Sequence, residues 1–149
     1  MTTRNDTVMG RNMFGGGPGP WDAKNPLNGW WGVNPPFHHP VFVLTRYARE
    51  PLELEGGTTF TFVTDGIETA LKLAIRAGGG KDVSLAGGAN AAQQYLAAGL
   101  VDEMEINVVP TLLGSGARLF DGVGDNLRGL ELVRTVATPK APHIKFVKR

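Results

Sequence analysis

After a first strand signal at Val41–Thr45, strand and helix signals alternate along the chain between Thr59 and Pro110, with glycine and proline at the junctions. Short runs rich in β-branched or aromatic residues predict the strands, which are VFVLT, TFTFVT, DVSLA and EMEINVVP. Apolar residues at helical spacing before glycine predict the helices, DGIETALKLAIRAGGG and NAAQQYLAAG, with Asp65 as the expected cap of the first. Short connections between such elements favour right-handed crossovers. The sequence therefore predicts an α/β fold with three layers, α/β/α, around a mainly parallel sheet.

The carboxyl-terminal part of the chain has a different pattern. The runs LRGLELVRTVAT and HIKFVKR alternate apolar and polar residues, and PKAP separates them. This pattern predicts an antiparallel pair of strands at one edge of the sheet. A chain of 149 residues can bury one core, so we expect a single domain over residues 1–149.

The segment 15–40 is too rich in glycine, proline and asparagine to follow a helix or strand period. We therefore predict a long loop. Because aromatic rings of this size are usually packed against other groups, we expect the loop to dock on the domain or on a partner subunit through Trp21, Trp30 and Trp31. His38 and His39 close the loop. Histidines in such a position more often pack against the protein or lie on its surface than bind a metal or act as a proton-transfer pair.

Composition excludes several classes of function. The chain has no cysteine and only three histidines, so disulfides, thiolate catalysis and zinc–thiolate sites are excluded and no metal site is expected. A formal charge of +1 without a basic stripe argues against a nucleic-acid partner. No apolar run approaches the ~18 residues of a membrane helix, and no secretory signal is visible. We therefore expect a cytoplasmic protein without a membrane or nucleic-acid partner.

Gly87 and Gly88 lie between the strand DVSLA and the following helix. In open α/β sheets, ligands bind outside the carboxyl ends of strands, and glycine lets a phosphate approach the backbone N–H groups. A tight turn with close packing of helix on strand would require glycine equally, so both interpretations are open. The pair lacks the spacing of the dinucleotide fingerprint and of the P-loop.

Two other strand ends carry groups suited to phosphate. Gly10 and Arg11 follow the apolar run TVM, and Thr45 and Arg46 end the run FVLTR. A guanidinium group can donate two parallel hydrogen bonds to phosphate oxygens. Each pair alone is more often a solvated strand terminus, but together the three strand ends predict a dinucleotide phosphate site at one edge of the sheet.

Several motifs together resemble the dihydrofolate-reductase-like superfamily. They are VMGRNMF, PVFVLTR, GGTTFTFVTDGIETAL and VSLAGGANAAQQYLAAGLVDEMEINVVPTLLGSGARLF. The resemblance is closer to the branch similar to the reductase domain of the bifunctional riboflavin-biosynthesis deaminase/reductase, and its most specific part is 87–120. It implies a homodimeric reductase that binds NADPH across the strand ends and transfers hydride to a small heterocyclic or carbonyl-bearing substrate.

The resemblance also implies which residues bind the cofactor. Those matching the glycine-arginine turn at the cofactor phosphates are Gly10, Arg11 and Asn12. Those matching the pair near the adenosine ribose phosphate are Thr45 and Arg46, and Thr64 at the next strand end belongs to the same set. Those matching the pyrophosphate turn are Gly87, Gly88, Ala89 and Asn90. Because no acidic residue stands beside Thr45 and Arg46, we expect NADPH to be preferred to NADH.

The sequence departs from the family's pattern at the amino end. Members normally have a strand, a loop over the nicotinamide and a helix before the glycine-arginine turn, whereas only Met1 to Asp6 precede it here. We therefore expect an amino-terminally shortened domain, and no catalytic acid is assigned. The alternatives to a reductase are a nucleotide-binding module without turnover and a dimerisation module that uses the loop from Trp21 to Trp31.

Overall fold

The computed structural model describes residues 6–149, except for the side chains of Asn126 and Arg128. Within it, the chain forms two compact units, with the boundary between Ala91 and Ala92. The single domain over residues 1–149 stays a prediction, and the expectation about the amino end concerns residues that lie mostly outside the described part. None of the described helices has the length and apolar character of a membrane-spanning segment.

The first unit contains a five-stranded sheet. Its strands are β1 (Asp6–Gly10), β2 (Pro40–Leu44), β3 (Leu52–Glu53), β4 (Thr59–Val63) and β5 (Val83–Leu85). Their order is β3-β4-β2-β1-β5, and all neighbouring pairs are parallel except β3 with β4. The predicted mainly parallel sheet is confirmed. The strand β3 was not predicted, because two residues are too few to show a period.

The strand β2 lies inside this sheet, between β1 and β4. Its consecutive residues Val41, Phe42 and Val43 are all buried. Burial on both faces is what a continuous apolar run predicts for a strand of a parallel sheet.

The described part of the chain has three α-helices, α1 (Arg11–Phe14), α2 (Ile67–Ala77) and α3 (Ala89–Ala97), and two short 3-10 helices, Glu55–Gly57 and Gly124–Gly129. The helix α2 packs near β1, β2 and β5, and Ala70 and Ala74 on it are fully buried. The prediction that Asp65 caps α2 is wrong. Gly66 is the residue at the cap, its φ is 99°, and its carbonyl accepts the bond from the Ala70 N–H at 3.2 Å. This extra glycine moves Asp65 one residue outside the capping position.

The loop between α1 and β2 contains no helix or strand, as predicted, and it covers one side of the core. The buried core cluster is Met9, Phe14, Val41, Val43 and Phe60, against which Trp21, Trp31 and Phe37 of the loop pack. Trp30 stacks on Trp31 with 4.8 Å between ring centroids and is 63% exposed. Docking on the domain is therefore confirmed for Trp21 and Trp31, whereas most of Trp30 faces solvent.

Both histidines at the end of the loop make local contacts with the backbone. His38 has a φ of 58°, and its Nδ1 lies 2.8 Å from the carbonyl oxygen of Gly56. His39 Nδ1 lies 2.9 Å from the carbonyl oxygen of Pro40. Among residues 6–149, no three His, Asp or Glu side chains gather into a group that could hold a metal ion.

The second unit contains a three-stranded antiparallel sheet. Its strands are β6 (Glu103–Asn107), β7 (Leu130–Val136) and β8 (His143–Lys148), in the order β6-β8-β7. The predicted antiparallel pair is confirmed as β7 with β8, but the pair belongs to this separate sheet with β6 and not to an edge of the five-stranded sheet. The prediction that EMEINVVP continues the parallel sheet as far as Pro110 is wrong, because β6 ends at Asn107 and pairs antiparallel with β8. Its burial alternates along the strand, which is typical of an antiparallel strand with one solvated face.

Candidate functional site

The carboxyl ends of four strands of the first unit lie at one edge of its sheet, because β1, β2, β4 and β5 are parallel. Gly10 at the end of β1 is level with Leu44 of β2, which in turn is level with Val63 of β4. The residues that follow these positions therefore emerge at the same edge. We refer to this side of the first unit as the carboxyl edge.

Gly10 is in direct contact with the turn that contains the glycine pair. Its N–H donates a hydrogen bond to the carbonyl of Gly87 at 2.7 Å. A Cβ at Gly10 would lie 3.2 Å from the Cβ of Ala91 in α3. The close approach of β1 to α3 therefore favours glycine at position 10.

The glycine pair itself is less crowded. Gly87 has a φ of 100°, a conformation that favours glycine, and the peptide bond between Gly87 and Gly88 is cis. A Cβ built at either residue would meet nothing within 4 Å. Packing therefore does not account for glycine at position 88, and the space beside it is open to a ligand. Ala89 and Asn90 are the first two residues of α3, and the amino end of a helix favours negative charge.

The Arg11 side chain connects the ends of β1 and β2 with the loop. Its Nε donates to the Gly15 carbonyl at 3.1 Å, its Nη1 to Thr45 Oγ1 at 3.2 Å and its Nη2 to the Gly16 carbonyl at 3.3 Å. The guanidinium carbon lies 3.3 Å from the ring centroid of Trp21. Burial, assisted by repulsion from Arg49, lowers the pKa of Arg11 from its ordinary value. Arg11 thus has a structural role at this edge, and its role in cofactor binding stays a prediction.

Thr45 and Arg46 continue the chain beyond β2. The N–H of Thr45 donates to the Val63 carbonyl at 3.0 Å, so the end of β2 stays joined to the end of β4. Its hydroxyl oxygen accepts from the N–H of Tyr47 at 3.2 Å, as well as from Arg11. Arg46 is exposed and makes no hydrogen bond or ion pair with any residue in the described part of the chain.

The structure brings Gly10, Gly87, Arg11 and Thr45 together through two direct hydrogen bonds. The remaining predicted residues are neighbours of these elements in the chain: Arg46 and Thr64 follow β2 and β4, Gly88 precedes α3, and Asn12, Ala89 and Asn90 lie in the first turns of α1 and α3. Asn12 and Thr64 are exposed. That these residues bind a cofactor stays a prediction.

Arg49 and Trp21 belong to the same edge and were not predicted as site residues. Arg49 donates from Nη1 to the Leu27 carbonyl at 2.7 Å and from Nη2 to Asn28 Oδ1 at 3.0 Å. Its guanidinium carbon lies 4.8 Å from the ring centroid of Trp21. Burial lowers the pKa of Arg49. The available sequence signal was a second arginine shortly after Arg46, in TRYARE.

Asp6 is a buried carboxyl group away from this edge. It lies at the amino end of β1, is 4% exposed, and its Oδ2 has no hydrogen-bond partner among the described residues. Burial raises the pKa of Asp6, against the opposing effect of His39 and Lys81. Because it stands at the opposite end of the strand, Asp6 does not provide a proton donor for the carboxyl edge.

Comparisons with solved structures show where this architecture occurs. The fold is similar to that of a protein assigned to riboflavin biosynthesis from Shewanella sp. PV-4, with a TM-score of 0.67, 23% identity and coverage of 97% of this chain and 74% of that one. It is also similar to RibD of Acinetobacter baumannii, with a TM-score of 0.63, 18% identity and coverage of 97% of this chain and 47% of that one. The chain therefore spans about half the length of that RibD.

Comparison by sequence is more decisive. No curated protein is similar enough in sequence to count as a match. The family model described as the RibD C-terminal domain, however, matches residues 6–143, which is most of the chain. This match agrees with the α/β fold and with the position of the parallel strand ends. The chain therefore belongs to the RibD C-terminal domain family, whose fold is dihydrofolate-reductase-like.

Proposed function

We propose that this chain binds NADPH at the carboxyl edge and acts as a reductase, transferring hydride to a small heterocyclic or carbonyl-bearing substrate. The observation that carries the proposal is the joining of Gly10, Arg11, Thr45 and Gly87 at that edge, beside the open space at Gly88. Membership of a reductase-like family supports the same class of chemistry.

The proposed roles follow from the chemistry of each group. The pyrophosphate would lie at the turn of Gly87 and Gly88, where the backbone is open and the start of α3 favours negative charge. Thr45 and Arg46 would contact the phosphate on the adenosine ribose. The bound cofactor supplies the hydride, so the protein needs only to bind and orient the reactants.

Turnover is tested by the loss of NADPH absorbance with a candidate substrate. The first substrate to try is 5-amino-6-(5-phosphoribosylamino)uracil, because of the family to which the chain belongs. Substrate-dependent oxidation of NADPH would support the reductase. Tight binding of NADPH without turnover of any pyrimidine or pterin substrate would favour a nucleotide-binding module instead.

Arg46→Ala is expected to weaken NADPH binding by about tenfold to a hundredfold and to leave NADH binding unchanged. The variant removes a charge-assisted hydrogen bond to the ribose phosphate, and such a bond contributes about 1.5–3 kcal/mol. The fold should be unaffected, since Arg46 is exposed and has no partner in the described part of the chain.

Titration calorimetry with both cofactors measures this effect. Arg76→Ala is the matched control, because Arg76 is also exposed but lies in the last turn of α2. An equal loss of affinity for NADH and NADPH, or none for either, would contradict the assignment of Arg46.

We also propose that the chain forms a homodimer, and we expect its mass in solution to approach that of a dimer as concentration rises. The second unit exposes apolar side chains, among them Val109 at 66%, Leu112 at 102%, Leu113 at 81% and Leu132 at 58%. Exposed apolar patches favour association. Light scattering after size exclusion measures the mass.

The double variant Leu112→Ser, Leu113→Ser should shift this equilibrium toward the monomer. Burying a leucine side chain contributes about 1.5–3 kcal/mol, so the shift should be large if both are covered. Val33→Ser, at a residue that is 67% exposed in the first unit, is the control. A monomer at high concentration in the unmodified protein would refute the proposed dimer.

A further inference from the structure

Two arginine side chains share the indole ring of Trp21. The guanidinium carbon of Arg11 lies 3.3 Å from the ring centroid and that of Arg49 lies 4.8 Å from it. Arg49 also lies 4.7 Å from the ring centroid of Phe62. Attraction between each cation and the aromatic rings therefore holds two like charges close together.

No acidic side chain compensates these charges in the described part of the chain. The ion pairs of arginine that the structure describes lie elsewhere, at Arg134 and Arg149. The partners of Arg11 and Arg49 are neutral oxygens of the backbone, of Thr45 and of Asn28. Two partly buried cations without a counter-ion repel each other, and a bound anion would relieve that repulsion.

The guanidinium group of Arg49 already has a fixed orientation in which it can bind such an anion. The Leu27 carbonyl and Asn28 Oδ1 each accept one bond from a terminal nitrogen, so the plane of the guanidinium group is fixed by the loop. A guanidinium group has five N–H donors, and the Nε–H of Arg49 has no partner among the described residues. A donor group whose orientation is already set loses little freedom when it binds a ligand.

We propose that Arg49 is a phosphate-binding residue, which together with Arg11 forms a cationic pair on Trp21 for a phosphomonoester dianion. A dianion matches the charge of the two guanidinium groups, and its oxygens accept hydrogen bonds from both. The site is next to Thr45, which accepts a hydrogen bond from Arg11. The proposal deepens the proposed function and rests on it where the anion is taken to belong to NADPH.

A phosphomonoester could reach this pair from two sources. One is the phosphate on the adenosine ribose of NADPH, and the other is a phosphate carried by the substrate. Both have the same chemistry at the arginine pair, so the choice between them is left to the ligands used in the test.

The test compares the unmodified chain with Arg49→Gln by titration calorimetry. The probes are adenosine 2′-phosphate, ribose 5-phosphate, NADPH and NADH. Arg49→Gln should weaken the binding of at least one phosphomonoester by about tenfold or more, because it removes one of two charges. Arg49→Lys should lose less, since it keeps the charge but not the planar fork, and Arg76→Gln should bind as the unmodified chain does.

A second measurement needs no variant and therefore does not depend on folding of Arg49→Gln. Phenylglyoxal modifies accessible arginines, and mass spectrometry of the digested protein reports which. Adenosine 2′-phosphate or ribose 5-phosphate should slow the modification of Arg49 but not that of Arg76.

Each outcome decides the proposal. Weaker binding of adenosine 2′-phosphate and NADPH, with NADH unchanged, supports the cofactor as the source. Weaker binding of ribose 5-phosphate, with NADPH unchanged, supports the substrate. Unchanged binding of every phosphomonoester in Arg49→Gln, or an unprotected Arg49, overturns the proposal. If neither dinucleotide binds but a phosphomonoester does and depends on Arg49, the proposed function fails while this inference stands.

Discussion

Phe14→Ala is expected to lower the free energy of unfolding by about 3–5 kcal/mol, as removal of a buried phenylalanine typically does. Phe14 has no exposed surface and contacts the rings of Trp21, Phe60, Phe62 and Trp31, with centroid distances of 5.7, 5.1, 5.2 and 6.4 Å. Its ring therefore connects the strand β4 with the loop. Since domains of this size are stable by only about 5–15 kcal/mol, the variant should lose a large share of its stability.

Urea denaturation followed by circular dichroism measures this loss. Phe120→Ala is the matched control, because the same atoms are removed from a side chain that is 41% exposed. The control should cost about 1 kcal/mol or less. Equal losses for the two variants would show that Phe14 is not central to the core.

The parallel sheet could be predicted because its strands carry a local signal. The apolar run of β2 is continuous because this strand has a neighbouring strand on each side and is buried on both faces of the sheet. The sheet to which β6 belongs could not be predicted in this way. Its partner is β8, which follows more than thirty residues later, and the order of elements alone favoured the parallel sheet.

The candidate site was predictable to the extent that it depends on strand ends. Gly10, Arg11, Thr45 and Gly87 come together because the carboxyl ends of parallel strands meet at one edge, which follows from the order of elements. Arg49 was missed for the opposite reason. It reaches the edge by packing on Trp21 and by bonding to Leu27, both in a loop without periodicity.

The same limit explains the error at Asp65. An acidic residue before a helix is a good indicator of a cap, but the pattern does not tell whether the following glycine belongs to the helix or to the turn. Here Gly66 takes a φ of 99° and occupies the cap position itself. A shift of one residue decides which residue caps the helix, and sequence patterns do not locate helix ends more closely than one residue.

Gly88→Val is expected to weaken NADPH binding by on the order of a hundredfold or more, which corresponds to about 2.7 kcal/mol or more. A Cβ at this position meets nothing within 4 Å, and Gly88 is not among the glycines with positive φ, so the fold has room for a side chain. The valine methyl groups would instead fill the space proposed for the pyrophosphate and cover the backbone N–H groups at the start of α3.

Gly10→Val provides the contrast that separates a ligand effect from a packing effect. A Cβ at Gly10 would lie 3.2 Å from the Cβ of Ala91, so this variant should lose stability as well as binding. Calorimetry with NADPH and thermal unfolding of both variants should therefore show loss of binding in both, but loss of stability only in Gly10→Val. If Gly88→Val unfolds, or binds NADPH as the unmodified chain does, the glycine at position 88 does not face the pyrophosphate.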